Sequence, residues 1–313
     1  MRNFLSSKSN VRLFLFVSLI LALVTLTSAA ESFSVLRSSN LSPAEVVELP
    51  FKTYHVQGIA VTDDYYFLSA VDKKAGNGWL WKIDRSTLEV LYKVDLATKS
   101  SEGVSIIHPG GITYDGDFLW VPMAGYTREG PSIIYKINPD TMEILDKFQF
   151  DDHIGGIASN GVDRLYLANW DTVHLYVCDM KGNVIETFIN PGLAQEMGYV
   201  CAYQDLDYDV ENDLLIGSGD TRKPYAEIDG YKFGFPYFHG YADKFGMCDW
   251  IDPKTVRVIK RIEIGFIGYG LNRTLLGREG FEYYKGKMCF APEDDCTRIY
   301  IYKLIPPTSP YIP

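Results

Sequence analysis

Three of the five histidines in this 313-residue chain occupy equivalent positions in similar segments. His55 opens the segment HVQGI, His108 opens HPGGI and His153 opens HIGGI. Imidazole nitrogens ligate transition metals, and they also exchange protons near neutral pH. A fold that brought the three copies together would therefore create either a metal site or an acid–base site.

The elements that must position these histidines are repeated hairpins. After each histidine segment the sequence predicts a strand, a tight Asp/Asn/Gly turn and a returning strand, and a second hairpin follows after a variable loop. Residues 206–216 and 250–259 form a fourth copy without the histidine. A fifth copy, residues 281–290 and 298–304, is one strand short. The repeat therefore has four strands and occurs about five times.

A strand near the beginning of the chain can complete the fifth copy. Residues 33–37 and 46–49 are both strand-like, and either could pair with the last repeat. We therefore expect an all-β fold with a single β-propeller of about five four-stranded blades, in which an N-terminal strand closes the ring. Six blades are the alternative, if the aromatic-rich insertion at 219–247 supplies extra strands.

Composition and the first residues limit the class of protein. The net charge is −10 and the sequence pI is near 5.0, so we expect no nucleic-acid partner. Residues 1–30 carry basic residues before an apolar run and then Ser28, Ala29 and Ala30, a pattern typical of a signal peptide. We therefore assign 31–313 to the propeller domain of a secreted or extracytoplasmic monomer, membrane-anchored if the signal is uncleaved. No later segment predicts a membrane span.

The repeat resembles the broad group of secreted propellers that includes NHL-type, gluconolactonase-like and strictosidine-synthase-like proteins. The resemblance rests on the Gly-Ile-Ala/Thr opening of each first strand and on the Asp/Asn-Pro-x-Thr turn, at 138–141 and 252–255. It implies a propeller fold over nearly the whole exported chain. No catalytic signature of these families matches residue by residue, so no activity is transferred.

Topology predicts where a site would lie. If the first strand of each blade is innermost, its start faces the channel mouth, together with the loop between the second and third strands. His55, His108 and His153 would then gather there, with Gln204 or Asp205 and Arg278 or Glu279 in the same position of copies four and five.

We assign His55, His108, His153 and Glu279 as catalytic candidates. His55, His108, His153 and Asp205 are candidate ligands of a divalent metal such as zinc, manganese or calcium. The alternative is that each histidine is architectural and bonds to a neighbouring blade.

Charged loops on the same face suggest a ligand. Basic residues near one mouth of an acidic protein favour an anionic ligand such as a carboxylate or uronic acid. The substrate-binding candidates are Lys73, Arg128, Trp170, Arg222, Gln204 and Arg278. Acidic residues in these loops could instead bind Ca²⁺, or the loops could simply be solvated. The aromatic insertion could cover the mouth or cap an apolar edge.

Glycines recur beside the repeated histidines. We expect them to let the inner strands approach closely around the axis, since a side chain would separate the strands. The positions are Gly58, Gly110, Gly111, Gly155, Gly156 and Gly280.

Two functions remain open at this point. One is a metal-assisted hydrolase or lyase acting on a small or carbohydrate-like anionic substrate. The other is a non-catalytic propeller that binds a ligand or a protein through the same mouth.

Overall fold

The fold was determined as a computed structural model. It describes residues 34–37, 41–42, 45–197, 199–222, 226–228, 231–233, 246–264, 275–295 and 297–305. Ser34–Pro313 form one compact unit. The predicted signal peptide at 1–30 lies outside the described residues.

Two strands precede the repeats, and three blades follow them. The first strands are β1 (Ser34–Arg37) and β2 (Glu45–Glu48). Blade 1 contains β3 (His55–Val61), β4 (Tyr65–Asp72), β5 (Asn77–Asp84) and β6 (Val90–Asp95). A two-stranded ribbon, β7 (Thr98–Lys99) and β8 (Ser105–Ile106), leads to blade 2. Blade 2 contains β9 (His108–Pro109), β10 (Thr113–Tyr114), β11 (Leu119–Ala124), β12 (Ser132–Ile137) and β13 (Ile144–Phe150). Blade 3 contains β14 (Ile154–Ser159), β15 (Leu165–Asn169), β16 (His174–Cys178) and β17 (Val184–Ile189).

The last two blades use the early strands. Blade 4 contains β18 (Val200–Asp209), β19 (Leu214–Arg222), β22 (Gly246–Asp252) and β23 (Arg257–Ile264). Its insertion holds a separate hairpin, β20 (Ala226–Ile228) and β21 (Tyr231–Phe233). Blade 5 contains β24 (Gly280–Tyr284), β25 (Lys287–Ala291) and β26 (Arg298–Lys303). Helical structure in the described residues is limited to short turns at Trp170–Thr172, Pro191–Ala194 and Leu276–Arg278.

Both early strands pair, but with different blades. β2 runs antiparallel to β26 and is the fourth strand of blade 5, so the predicted closure by an N-terminal strand is confirmed. β1 pairs in parallel with β23 and adds a fifth, outer strand to blade 4. The described insertion strands β20 and β21 form no further blade. The fold is a five-bladed β-propeller, and the six-bladed alternative is wrong.

The first strand of each blade lines the axis. β3 contacts β10 and β24, β14 contacts β10 and β18, and β18 contacts β24, which completes a ring of inner strands. Between adjacent blades, apolar side chains pack into buried clusters; for example Trp81 is buried between blades 5 and 1, and Trp250 between blades 4 and 5. Because each cluster is shared by two blades, burial holds neighbouring blades in register.

Blade 2 departs from the repeat at its inner edge. The expected first strand is split into β9 and β10, and both pair with β11. Gly110 and Gly111 occupy the break, where Gly111 N donates to Gly155 O of blade 3 at 2.8 Å. At the break, the pairing with β11 is interrupted and a hydrogen bond to blade 3 takes its place, three residues after His108.

No helix among the described residues is both long enough and apolar enough to span a membrane.

Candidate acid–base site at the channel mouth

The three repeated histidines lie side by side. The ring centroids of His55 and His108 are 6.4 Å apart, and those of His108 and His153 are 5.8 Å apart. His55 begins β3, His108 begins β9 and His153 directly precedes β14, so the equivalent starts of three inner strands place them. The repeat pattern thus brings together residues that are about 50 positions apart in sequence.

Two aromatic rings extend this row. Tyr126 packs edge-on against His108 with centroids 4.7 Å apart, and Trp170 packs against His153 at 4.5 Å. Both rings come from loops between second and third strands. We call Tyr126, His108, His153 and Trp170 the imidazole–aromatic wall.

Blade 5 supplies carboxylates opposite His55. Glu279 directly precedes β24, in the position that His153 occupies before β14, and it is 5% exposed. Its Oε2 accepts from the Gln57 amide at 3.2 Å, and its Oε1 lies 3.0 Å from Arg278 Nε. Arg278 is half-exposed. The carboxylate therefore has one neutral donor, Gln57, and one charged donor, Arg278, and it is almost completely shielded from solvent.

Burial raises the pKa of Glu279 to about 7, even though the positive charges of His55 and Arg278 favour the carboxylate. The negative charges of Asp294 and Asp220 add to the increase. A carboxyl group with this pKa exists in both protonation states at neutral pH. It can take a proton from a substrate or give one back.

His55 is held by hydrogen bonds on both ring nitrogens. Its Nδ1–H donates to Asp294 Oδ1 at 2.7 Å, and its Nε2 accepts from the Gln57 amide at 2.9 Å. Burial lowers the pKa of His55, but the bond to Asp294 and the charges of Glu279 and Asp294 outweigh it, so the net shift is upward. Asp294, His55, Gln57 and Glu279 thus form one connected polar chain.

The other two histidines are kept neutral. Burial lowers the pKa of His108 to about 3, and the nearby charges of His153, His55 and Lys73 contribute to that decrease. Burial also lowers the pKa of His153, partly offset by the bond between its Nδ1 and Thr127 O at 3.1 Å. His108 Nδ1 is buried and has no hydrogen-bond partner in the described part of the chain.

Not every predicted residue joins this cluster in the same way. Arg128 forms an ion pair with Asp171 and lies over the Trp170 ring, with its Cζ atom 5.5 Å from the centroid. Lys73 Nζ lies 4.2 Å from the Tyr126 centroid. Arg222 is the last residue of β19, but its side chain lies outside the described residues.

The two candidates from blade 4 sit on the inner strand. Gln204 is half-buried at a bulge in β18. Asp205 is fully buried, and its oxygens accept from Leu206 N and Phe281 N, both at 2.9 Å. The bond from Phe281 N ties blade 4 to blade 5. Asp205 therefore has a structural task, and its role as a metal ligand stays a prediction.

A metal at the histidines also stays a prediction. Among the described residues, no group of three or more His, Cys, Asp or Glu side chains is arranged to hold an ion. His55 would have to release Asp294 or Gln57 before it could ligate one.

Three members of the site were not predicted from the sequence. Gln57 replaces the glycine found at the same place of the other two histidine segments, Gly110 and Gly155, and this departure from the repeat was a usable signal. Tyr126 and Asp294 stand in loops of mixed composition, where nothing in the sequence distinguished them from their neighbours.

The comparisons with known proteins agree with the fold. The sequence model of a family described as a family of unknown function (DUF6454) matches residues 36–238, more than half of the chain. The protein belongs to this family. The part of this DUF6454 chain that matches includes the three repeated histidines and ends before Glu279.

Solved structures resemble the DUF6454 chain in fold. A glutaminyl cyclase from Myxococcus xanthus matches with a TM-score of 0.54 and 13% identity, over 87% of this chain and 99% of its own. A protein of unknown function from Bacteroides caccae matches with a TM-score of 0.46 and 10% identity, over 81% of this chain and 84% of its own. A putative exported protein from Bacteroides fragilis matches with a TM-score of 0.45 and 9% identity, over 86% of this chain and 99% of its own. At 13% identity, the match to the glutaminyl cyclase supports the fold alone. No curated protein sequence matches the chain.

Proposed function

We propose that this protein is an exported enzyme, a hydrolase or lyase, that moves a proton with Glu279 on a small ligand bound in the channel mouth. The single observation that carries the proposal is the buried carboxyl group of Glu279, which is 5% exposed and contacted by Gln57 and Arg278; its burial raises its pKa to about 7. An unpaired acid in solution titrates near 4.3, so the site keeps Glu279 ready to act as either acid or base at neutral pH.

The surroundings of Glu279 suit such a role. Arg278 and Gln57 fix the two carboxylate oxygens, which restricts the direction of proton transfer. The imidazole–aromatic wall offers flat rings and neutral imidazoles for ligand contact. In a hydrolase Glu279 would activate water, and in a lyase it would remove a proton from carbon.

Turnover by purified residues 31–313 tests the proposal. The substrate panel contains chromogenic uronides, their neutral glycosides, lactones and, because one structural neighbour is named a glutaminyl cyclase, N-terminal glutaminyl peptides. For the substrate turned over, we expect Glu279→Gln to lower kcat by about 10²–10⁴-fold. The wild-type pH–rate profile should show an inflection near pH 7 that Glu279→Gln removes.

Glu282→Gln is the matched control. Glu282 belongs to β24, the strand that Glu279 directly precedes, and it is also buried, 4% exposed, but the charges that act on it are those of Asp205 and Asp207. We expect this variant to keep most of the activity. If Glu279→Gln remains fully active, Glu279 is not the proton-transfer group and the proposed function is wrong.

Metal assistance remains part of the proposal. The same panel is measured with zinc, manganese and calcium added, and bound metal is quantified by mass spectrometry. His108 and His153 would be the ligands, since both are neutral and neighbours at 5.8 Å. Activity that depends on a metal and is lost in His108→Ala/His153→Ala would support this form of the enzyme.

A non-catalytic binding propeller is the second candidate. It is favoured by the hydrogen bonds of His55 to Asp294 and of His153 to backbone Thr127, which are typical of architectural histidines. This function predicts ligand binding without turnover of any compound on the panel.

A further inference from the structure

One cation of the channel mouth has a different environment from the others. Arg128 is paired with Asp171, and Arg278 is paired with Glu279. Lys73 is exposed, and among the described residues no carboxylate forms an ion pair with it. Of Arg128, Arg278 and Lys73, only Lys73 can bind an external anion without first breaking an ion pair that the structure describes.

The position of Lys73 is nevertheless defined. Its Nζ lies 4.2 Å from the centroid of the Tyr126 ring, a cation–π contact. Tyr126 in turn packs edge-on against His108 at 4.7 Å. The ammonium group thus lies at the rim of the imidazole–aromatic wall, beside His108. The positive charge of Lys73 disfavours the charged form of His108.

His108 is the second polar group at this rim. Its Nδ1 is a buried ring nitrogen with no hydrogen-bond partner in the described residues. An unpaired buried donor or acceptor costs free energy, so such atoms in native proteins are usually satisfied by a water or a ligand. A neutral imidazole can present Nδ1–H as a donor.

We propose that Lys73 and His108 form a subsite for the carboxylate of a sugar-acid-sized ligand, with the ammonium giving charge and Nδ1–H giving a hydrogen bond. An ammonium and a neutral N–H donor together match the two oxygens of a carboxylate. Aromatic faces beside the subsite suit the apolar face of a sugar ring. A sugar acid would be the substrate of the enzyme proposed above. The subsite rests on that proposed function only in taking Glu279 as the catalytic group.

The subsite also has a defined relation to Glu279. The ring centroids of His108 and His55 are 6.4 Å apart, and the Gln57 amide bonds both His55 and Glu279, so a continuous row of contacts joins His108 to Glu279. A ligand anchored at Lys73 would therefore place atoms next to its carboxylate within reach of Glu279. That geometry would select substrates in which the reacting centre lies close to the acid group.

The experiment is a binding titration by saturation-transfer NMR with two pairs of probes. Glucuronate and galacturonate carry the carboxylate, and glucose and galactose are their neutral counterparts. For the wild-type protein we expect the acids to bind at least tenfold more tightly than the neutral sugars. Lys73→Met, which keeps the apolar stem, should lose about tenfold in affinity for the acids and little for the neutral sugars.

Lys74→Met is the matched control, because Lys74 is the next residue and is also exposed. We expect it to bind the acids as the wild type does. His108→Phe removes the ring nitrogen and should also weaken acid binding. Equal losses in the Lys73 and Lys74 variants, or no preference of the wild type for the acids, would overturn the subsite.

These experiments test the subsite and the catalytic role of Glu279 independently. Glu279→Gln should still bind the acids, so acid binding that depends on Lys73 would support the subsite even if Glu279 proved not to be catalytic. Conversely, turnover that depends on Glu279 but not on Lys73 would overturn the subsite and leave the enzyme.

Discussion

Loss of water shifts the pKa values of Glu279 and His108 in opposite directions. Burial disfavours the charged form of each group, so it raises the pKa of the acid to about 7 and lowers that of the base to about 3. Burial thus gives the channel mouth both a carboxyl group that can be protonated and an imidazole that stays neutral at physiological pH. This pairing is the chemical basis of the proposed site.

The shift of His108 predicts a loss of stability in acid. In the unfolded chain a histidine has a pKa near 6.5, so below that pH the unfolded state binds more protons than the folded state. The free energy of unfolding should fall as the pH drops from about 6.5 toward 3. We expect His108→Gln to lose about 2 kcal/mol less than the wild type between pH 7 and pH 5.

Urea unfolding at the two pH values measures this difference. His174→Gln is the control, since His174 is part of β16 and not of the channel mouth. Equal acid losses in the wild type and in His108→Gln would mean that His108 is not held neutral by burial.

At the scale of elements, the inner strands decide how close the site residues come. A Cβ atom at Gly110 would lie 2.4 Å from Gly155 O, and one at Gly58 would lie 2.7 Å from Ile112 N. Gly111 and Gly280 are equally tight, so close approach of the strands is confirmed at these four positions. The expectation was wrong for Gly155, where the nearest atom to a Cβ would be 3.9 Å away.

This asymmetry between two glycines gives a matched pair. We expect Gly110→Ala to lower the free energy of unfolding by about 1–3 kcal/mol, because backbone cannot move aside as a side chain can. Gly155→Ala should change stability little, since its Cβ would meet only Ala168 O at 3.9 Å, an ordinary van der Waals contact. Chemical unfolding of both variants checks the difference, and similar losses at the two positions would contradict the inferred packing.

At the scale of the whole molecule, the ring is closed by residues from opposite ends of the sequence. Val47 of β2 pairs with Ile299 of β26, and its side chain packs against the cluster between blades 5 and 1. A ring held in this way has no free inner edge, so the blades stabilise one another. The mouth, built from blades 1, 2, 3 and 5, exists only when the ring is closed.

Substitution in the closing strand tests this dependence. We expect Val47→Asp to lower the free energy of unfolding by about 2 kcal/mol, because it places a charge against an apolar cluster. Val46→Asp is the control, since Val46 is 45% exposed on the same strand. A single cooperative transition, shifted in Val47→Asp alone, would support closure by β2; two equally stable variants would contradict it.

The sequence by itself determined the repeat, its four strands, the ring and its closure from the N-terminal side. Those features follow from local patterns, alternation of apolar residues and turn residues at fixed spacing, which recur in every copy. It also indicated that His55, His108 and His153 occupy equivalent places, with either Arg278 or Glu279 in that position of the fifth copy.

Tertiary structure alone decided which early strand closes the ring, because 33–37 and 46–49 have similar strand patterns and only packing distinguishes them. It also decided the protonation of the site. A pKa depends on burial and on the charges of residues that are distant in sequence but near in space, such as Asp294 beside His55 and Lys73 beside His108. The spacing of residues along the chain does not give these distances.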